Sequence, residues 1–274
     1  MRGVNSPMDS LTVVGVGHMG EALLAGFLRA GFLPADRVQV VCRRPARLAY
    51  FKEAYGVRGS CDPVAACRDA AIVLLALKPA DTVPMLRVLQ PPVPGPLFIS
   101  VAAGVSLAAL AAALPPGSRC CRAMPNTPVR IGAGATALAA GEHVGPADLK
   151  AALGLFACVG YAVQVTDAQM DAVTGVSGAG PAFVLLMVEA LAQAGEALGL
   201  SPGVARALAA QTAVGSGRLA QQSDLPAGAL AEQVMSPGGA TEAGVAVLRE
   251  RQLEAGLRAA VQAAALAAGR LTRV

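Results

Sequence analysis

The chain has 274 residues, 54% hydrophobic and 15% charged, and its 22 basic and 18 acidic residues leave a net charge of +4. That hydrophobic share is incompatible with a disordered chain, and the length is enough to bury one large core or two modest ones. A small basic surplus with 3% aromatics and no Trp offers neither a phosphate-tracking stripe nor stacking platforms, so nucleic acid is not an expected partner.

Residues 1–10 read as a short disordered lead, with Met8 as an alternative start to Met1; they lack the basic-then-apolar pattern of a cleavable signal. The strongest apolar runs, 70–77 and 182–188, fall well short of the roughly 20 residues that span a bilayer. A soluble, cytoplasmic protein with no membrane partner is the expectation. The six cysteines (Cys42, Cys61, Cys67, Cys120, Cys121 and Cys158) form no C-x-x-C pair and lie at no zinc-like spacing from His. They read as free thiols of a reducing compartment, with no metal site.

In chain order, short apolar runs predict strands over 11–14, 38–42, 72–77, 97–100 and 119–123. The first four are uninterrupted, as strands covered on both faces require. Helical patterns over 21–30, 45–55, 82–90 and 107–114 separate them, and two later strands, 132–139 and 161–165, flank a helix over 149–158. Alternating strand and helix predicts an α/β fold with a doubly wound sheet. Beyond Thr166 strand signals fade and helices follow over 181–198, 204–221, 227–234, 239–249 and 253–270, which places a domain boundary there.

Gly15-Val16-Gly17-His18-Met19-Gly20 follows the first strand and opens the first helix, the context that makes G-x-G-x-x-G a dinucleotide signature rather than an ordinary glycine turn. Gly15 permits the turn, Gly17 lets backbone approach a pyrophosphate, and Gly20 lets helix pack on strand. The helix N-terminus then presents unpaired N–H groups to phosphate. His18 reads as a loop residue at the solvent edge. The second strand ends in Arg43 and Arg44 where an NAD site carries an acidic residue for the ribose diol. Two guanidinium groups there suit a 2′-phosphate, so NADPH is favoured over NADH; solvated surface arginines are the alternative. Ala76-Leu77-Lys78-Pro79 and, after Ser100, Ala102-Ala103-Gly104 leave two further strand ends where a flat cofactor can lie close. Arg122-Ala-Met-Pro-Asn126-Thr-Pro128 follows another strand, with Asn126 either lining the nicotinamide pocket or holding a structural turn.

Taken together, GVGHMG, LALKP, SVAAGV, RAMPNTP, Thr174-Gly-Val-Ser177-Gly178-Ala-Gly180-Pro181 and Ser236-Pro-Gly-Gly239-Ala240-Thr241 resemble the pyrroline-5-carboxylate reductase family over nearly the whole chain. The last two motifs are the specific ones. The resemblance implies reduction of 1-pyrroline-5-carboxylate to L-proline, the last step of proline synthesis. It also implies a Rossmann domain over 11–166 and an all-α substrate-binding and dimerisation domain over 167–274. By the same resemblance Ser177, Gly178, Gly239, Ala240 and Thr241 bind the substrate, Thr241 is the candidate proton donor, and the assembly is a homodimer or a ring of dimers. Phe183 stands where the family often has Tyr, and Asp62-Pro63 where it often has an Asn near the adenine.

Two other classes fit parts of the pattern. β-Hydroxyacid dehydrogenases share the glycine loop, but their acid/base lysine and asparagine positions are Val184 and Met187 here. Alcohol oxidation needs a group to take the hydroxyl proton, whereas a protonated imine already draws hydride. A non-catalytic NADP-binding protein would keep the loop and arginines without needing the Ser236–Thr241 motif.

Overall fold

The computed structural model describes residues 9–272. Residues 1–8, most of the expected disordered lead and both candidate starts, lie outside the described residues. Ser10 is already tied to the sheet: its hydroxyl accepts the Ala71 N–H at 3.0 Å and its carbonyl accepts the Ile72 N–H at 3.1 Å.

The chain runs β1 (Leu11–Val14), α1 (His18–Arg29), β2 (Val38–Val41), α2 (Pro45–Tyr55), β3 (Arg58–Ser60), α3 (Pro63–Arg68), β4 (Ile72–Leu75) and α4 (Pro79–Leu89). It continues through β5 (Leu97–Ser100), α5 (Leu107–Ala113), β6 (Arg119–Met124), β7 (Gly134–Ala140), α6 (Pro146–Ala157) and β8 (Gly160–Gln164). Helices α7 (Met170–Val173), α8 (Gly180–Ala197), α9 (Pro202–Gln222), α10 (Ala227–Gln233), α11 (Ala240–Glu250) and α12 (Leu253–Thr272) complete it, with a π-helical turn at Thr174–Gly178. All eight strands form one sheet in the order β3-β2-β1-β4-β5-β6-β7-β8. Pairing is parallel throughout except between β6 and β7, where Cys121 faces Ala140 and Ala123 faces Leu138.

Strands β1, β4 and β5 are buried along their whole length, which is why they read as mostly apolar runs, with Thr12 and Ser100 the polar positions. Their alternating side chains sort into two cores. Val13, Ile72 and Leu74 join Leu23, Leu24, Phe27 and Phe156 on one face, where the two phenylalanines meet edge to face at 6.0 Å. Val14, Val73 and Leu75 join Leu86, Phe98 and Leu110 on the other. Burying a side chain of this size contributes about 1.5–3 kcal/mol as an upper estimate.

Three short elements, β3, α3 and the four-residue α7, carry no sequence signal of their own. β3 is a three-residue edge strand of Arg, Gly and Ser with mostly exposed side chains, so no apolar run announces it. α3 is a single short turn whose N-cap, Asp62, accepts the Val64 and Ala65 N–H groups at 2.9 and 3.1 Å.

The chain divides into two compact units, one reaching Gly178 and taking back residues from Ala263 onward, the other Ala179–Gln262. The change of character at Thr166 is a change of secondary structure; the first unit carries on beyond it because residues 167–178 are anchored to the sheet. Buried Arg122 on β6 pairs with Asp167 at 2.9 Å, and the other Asp167 oxygen accepts the Leu107 N–H at 3.2 Å. Met170 is fully buried against Ala137 and Ala139 of β7. On α12, a Cβ at Gly269 would come within 2.9 Å of the Asp171 carboxylate, so the helix passes close to that side chain.

In the second unit α8 and α9 approach through alanines: Ala192, Ala205 and Ala209 are its buried hydrophobic residues among those described. Its larger apolar side chains face outward, Leu185 being 65% and Leu186 69% exposed. The helical run Asp167–Ala197 is long and apolar enough to cross a membrane by length and composition alone, and little of its most apolar part is buried. The apolar run 182–188 is the middle of this longer stretch, which the alanines and glycines on either side extend.

Candidate active site

The sheet reverses direction of winding between β1 and β4: from β1 the chain moves outward to β2 and β3, then returns to β4 on the other side. Ligands of open α/β sheets bind outside the strand carboxyl ends at such a point. A cleft of about 700 Å³ lies there, its floor made by Gly15, Val16 and Gly17, one wall by Arg43, Arg44 and Arg47, and the other by Leu77, Pro84 and Met85.

The three glycines have three different reasons. Gly15 has φ +90°, and a Cβ on it would lie 2.7 Å from the Ala76 carbonyl oxygen. A Cβ on Gly20 would overlap the Gly15 carbonyl and stand 3.0 Å from the Ala76 Cβ. Around Gly17 nothing lies within 4 Å of the Cβ position, so its missing side chain leaves open space over the backbone. Gly17 is also the N-cap of α1 and provides no side-chain cap, so the first N–H groups of α1 are left for an outside acceptor. This arrangement fits a pyrophosphate: a cradle with room at one glycine and no room at its neighbours.

Arg43 and Arg44 are exposed on the cleft wall, and neither makes an ion pair among the described residues. Arg47, outside the contiguous Arg43-Arg44 motif, stands one turn further along α2. Its guanidinium is bound by Glu21 of α1 and lies 4.8 Å over the Tyr50 and Phe51 rings. Helical spacing from Arg44 is the signal that would have found it. Burial pushes the Glu21 carboxyl up, but hydrogen bonds from Tyr50, Arg47 and Tyr55 and the Arg47 charge outweigh it, and the group is held below its ordinary 4.5. Tyr55 is pushed up to about 12 by burial, with Tyr50 and Glu21 adding to the shift.

The remaining predicted cofactor residues are placed as follows. His18 is exposed at the first position of α1, with Met19 partly buried behind it and Val16 buried. Ala76 packs on Gly15, Leu77 lines the cleft, and exposed Lys78 and Pro79 open α4, where the Lys78 carbonyl accepts the Thr82 hydroxyl at 3.0 Å. Ala102, Ala103 and Gly104 follow β5 outside the cleft lining; the Ala102 N–H bonds the Ser100 hydroxyl, and Gly104 has φ +74°. Asp62 caps α3 while Pro63 lines the cleft. Asn126 is buried, accepting the Ala135 N–H at 2.8 Å and donating to the Ser177 carbonyl at 3.0 Å. All six cysteines are free. Burial raises Cys67 and Cys121 to about 12 and Cys158 to about 11, values that keep them protonated and inert.

In the second unit, Ser236–Thr241 forms a turn into α11. Gly238 has φ +70°, the Gly239 N–H returns to the Ser236 carbonyl, and the Gly238 N–H donates to Glu242 at 2.7 Å. Gly239 is the N-cap of α11 without a side-chain cap, so the Ala240 and Thr241 N–H groups and the exposed Thr241 hydroxyl remain for an anion. Two N–H donors of the turn are thus already taken by the chain itself, that of Gly238 by the Glu242 carboxylate and that of Gly239 by the Ser236 carbonyl.

A glycine cradle at the switch point, two arginines at the end of β2 with no ion pair among the described residues, and a helical unit later in the chain define an NADP-binding oxidoreductase of the Rossmann class. Residues 10–104 match a family model described as NADP oxidoreductase, coenzyme F420-dependent, and residues 167–271 match one described as pyrroline-5-carboxylate reductase dimerisation. A pyrroline-5-carboxylate reductase from Synechocystis is 41% identical, over 93% of this chain and 95% of that protein. A solved structure of a pyrroline-5-carboxylate reductase from Coxiella burnetii aligns with a TM-score of 0.90 at 33% identity, covering 97% of this chain and 100% of that one. The NADP-bound Plasmodium falciparum pyrroline carboxylate reductase aligns with a TM-score of 0.86 at 27% identity, covering 96% and 98%. The chain belongs to the pyrroline-5-carboxylate reductase family.

Proposed function

We infer that the chain reduces 1-pyrroline-5-carboxylate to L-proline, the last step of proline biosynthesis, with NADPH preferred over NADH. The observation that carries the cofactor preference is the pair of unpaired arginines on the cleft wall, in place of the acidic residue that would receive a ribose diol. When bound, the reduced nicotinamide supplies hydride to the imine carbon. The first turn of α1 and Gly17 hold the pyrophosphate, and Arg43 and Arg44 hold the 2′-phosphate. Ala76 to Pro79 and Ala102 to Gly104 shape the strand ends on the nicotinamide side.

The first turn of α11 binds the substrate carboxylate through the Ala240 and Thr241 N–H groups, with the Thr241 hydroxyl as candidate proton donor. Catalysis rests on orientation and water exclusion more than on a strong acid. No lysine stands on α8, so alcohol oxidation by a lysine base has no candidate there. The outward apolar face of α8 supports a homodimer, dimers joining into a larger ring is the finer proposal, and six free thiols support a cytoplasmic setting.

The test is NADPH oxidation with pyrroline-5-carboxylate beside a panel of β-hydroxyacids oxidised with NADP. Turnover of the imine alone is expected; NADPH binding without imine turnover rejects the reading.

A further inference from the structure

Asn126 stands two residues beyond the end of β6, is 8% exposed, and has both ends of its amide engaged. One bond is local: Oδ1 accepts the Ala135 N–H at the start of β7. The other reaches a carbonyl 51 residues away, that of Ser177. The reason lies in the chemistry of the chain at Ser177. In an α-helix the carbonyl of residue 177 would accept the N–H of residue 181. Residue 181 is proline and has no N–H. The next donor, the Ala182 N–H, turns instead to the Ala179 carbonyl at 3.0 Å. The Ser177 carbonyl is therefore orphaned by the sequence itself, and a carbonyl taken out of water needs a partner.

The same turn carries other marks of a built joint. It is a π-helical turn, a form that concentrates at functional sites. The Thr174 and Ser177 hydroxyls bond back to the Met170 and Val173 carbonyls at 2.9 and 3.1 Å. A Cβ on Gly178 would lie 2.6 Å from the Met124 Cε, so the turn rests directly on the end of β6.

We propose that Asn126 is a positioning residue whose side-chain amide replaces the N–H that Pro181 lacks and so fixes Ser177 and Gly178 against the carboxyl end of β6 for substrate binding. This rests on the reading of Ser177 and Gly178 as substrate-binding residues. Asn126 then acts on the imine through the turn rather than through the nicotinamide.

The test uses Asn126→Asp, which keeps an acceptor for Ala135 and puts an oxygen where the Nδ2 donor was. Three readouts are taken: kcat/KM for the imine, NADPH affinity, and hydrogen exchange across residues 174–182. The expected result is a loss of about tenfold or more in kcat/KM, with NADPH affinity unchanged and faster exchange in the turn. The loss relative to the parent shrinks as pH is lowered from about 8 to about 6, because a protonated carboxyl regains a donor. Adding Pro181→Ala, which restores a backbone N–H, recovers part of the activity. Equal loss of NADPH affinity, a flat pH ratio, or unchanged exchange overturns the proposal. Faster exchange in a protein whose parent does not turn over the imine keeps the positioning role and rejects the substrate reading instead.

Discussion

Gly17→Ala separates cofactor binding from folding more sharply than any other single change in the cleft. At Gly17 the backbone is extended, φ −75° and ψ −167°, a conformation any residue adopts, and no atom lies within 4 Å of the new methyl group. The folded state therefore meets no clash, while the unfolded chain loses freedom. Such a substitution stabilises by about 0.4–1 kcal/mol, so the Tm holds or rises by about 1–4 °C. The methyl group does occupy the space over which a pyrophosphate approaches the α1 N–H groups. Losing one charge-assisted hydrogen bond there, worth about 1.5–3 kcal/mol, raises the NADPH Kd by about 10- to 150-fold. Titration calorimetry and thermal melts of apo protein check both halves. Gly20→Ala is the control: its methyl group would overlap the Gly15 carbonyl, so this variant loses about 1–3 kcal/mol of stability. Parental NADPH affinity in Gly17→Ala, or a Tm that falls as far as in Gly20→Ala, refutes the reasoning.

Replacing Arg43 and Arg44 together by Ala is expected to weaken NADPH by about tenfold or more while leaving NADH nearly unchanged, read from Kd values for both; a parent that prefers NADH contradicts the arginine argument. Thr241→Ala lowers turnover of the imine by about tenfold or more with NADPH affinity intact, and equal loss of both would remove Thr241 from the substrate side. Glu21 has a carboxyl held below its ordinary 4.5, so its contribution to stability is complete above that pH and disappears as pH falls through the lowered value. The Tm difference between parent and Glu21→Gln should be constant above pH 4.5 and close below it; a gap that widens in acid would mean the sign is wrong.

Much of the first unit was legible because its strands are covered on both faces. β1, β4 and β5 are buried at every position and apolar at all but Thr12 and Ser100, so their runs stand out in the chain, and the glycines and prolines beyond their ends mark where each stops. β3 escaped because an edge strand owes its existence to hydrogen bonds with β2 and buries no side chain; its residues carry no signal of their own. α3 escaped because a six-residue helix is set by one cap, Asp62, and by packing.

At the candidate site, local chemistry was readable and long-range pairing was not. The glycine loop and the two arginines are contiguous motifs whose spacing follows from the turn they make. Arg47 gains its place from Glu21 on another helix, and Arg122 from Asp167, partners 26 and 45 residues distant. Asn126 shows the division most clearly. The sequence by itself determined that Ser177 has a carbonyl with no helical donor, because Pro181 has no N–H to give. Which group fills that vacancy was decided by the tertiary structure, since only folding the sheet brings an amide from the end of β6 within 3.0 Å of it.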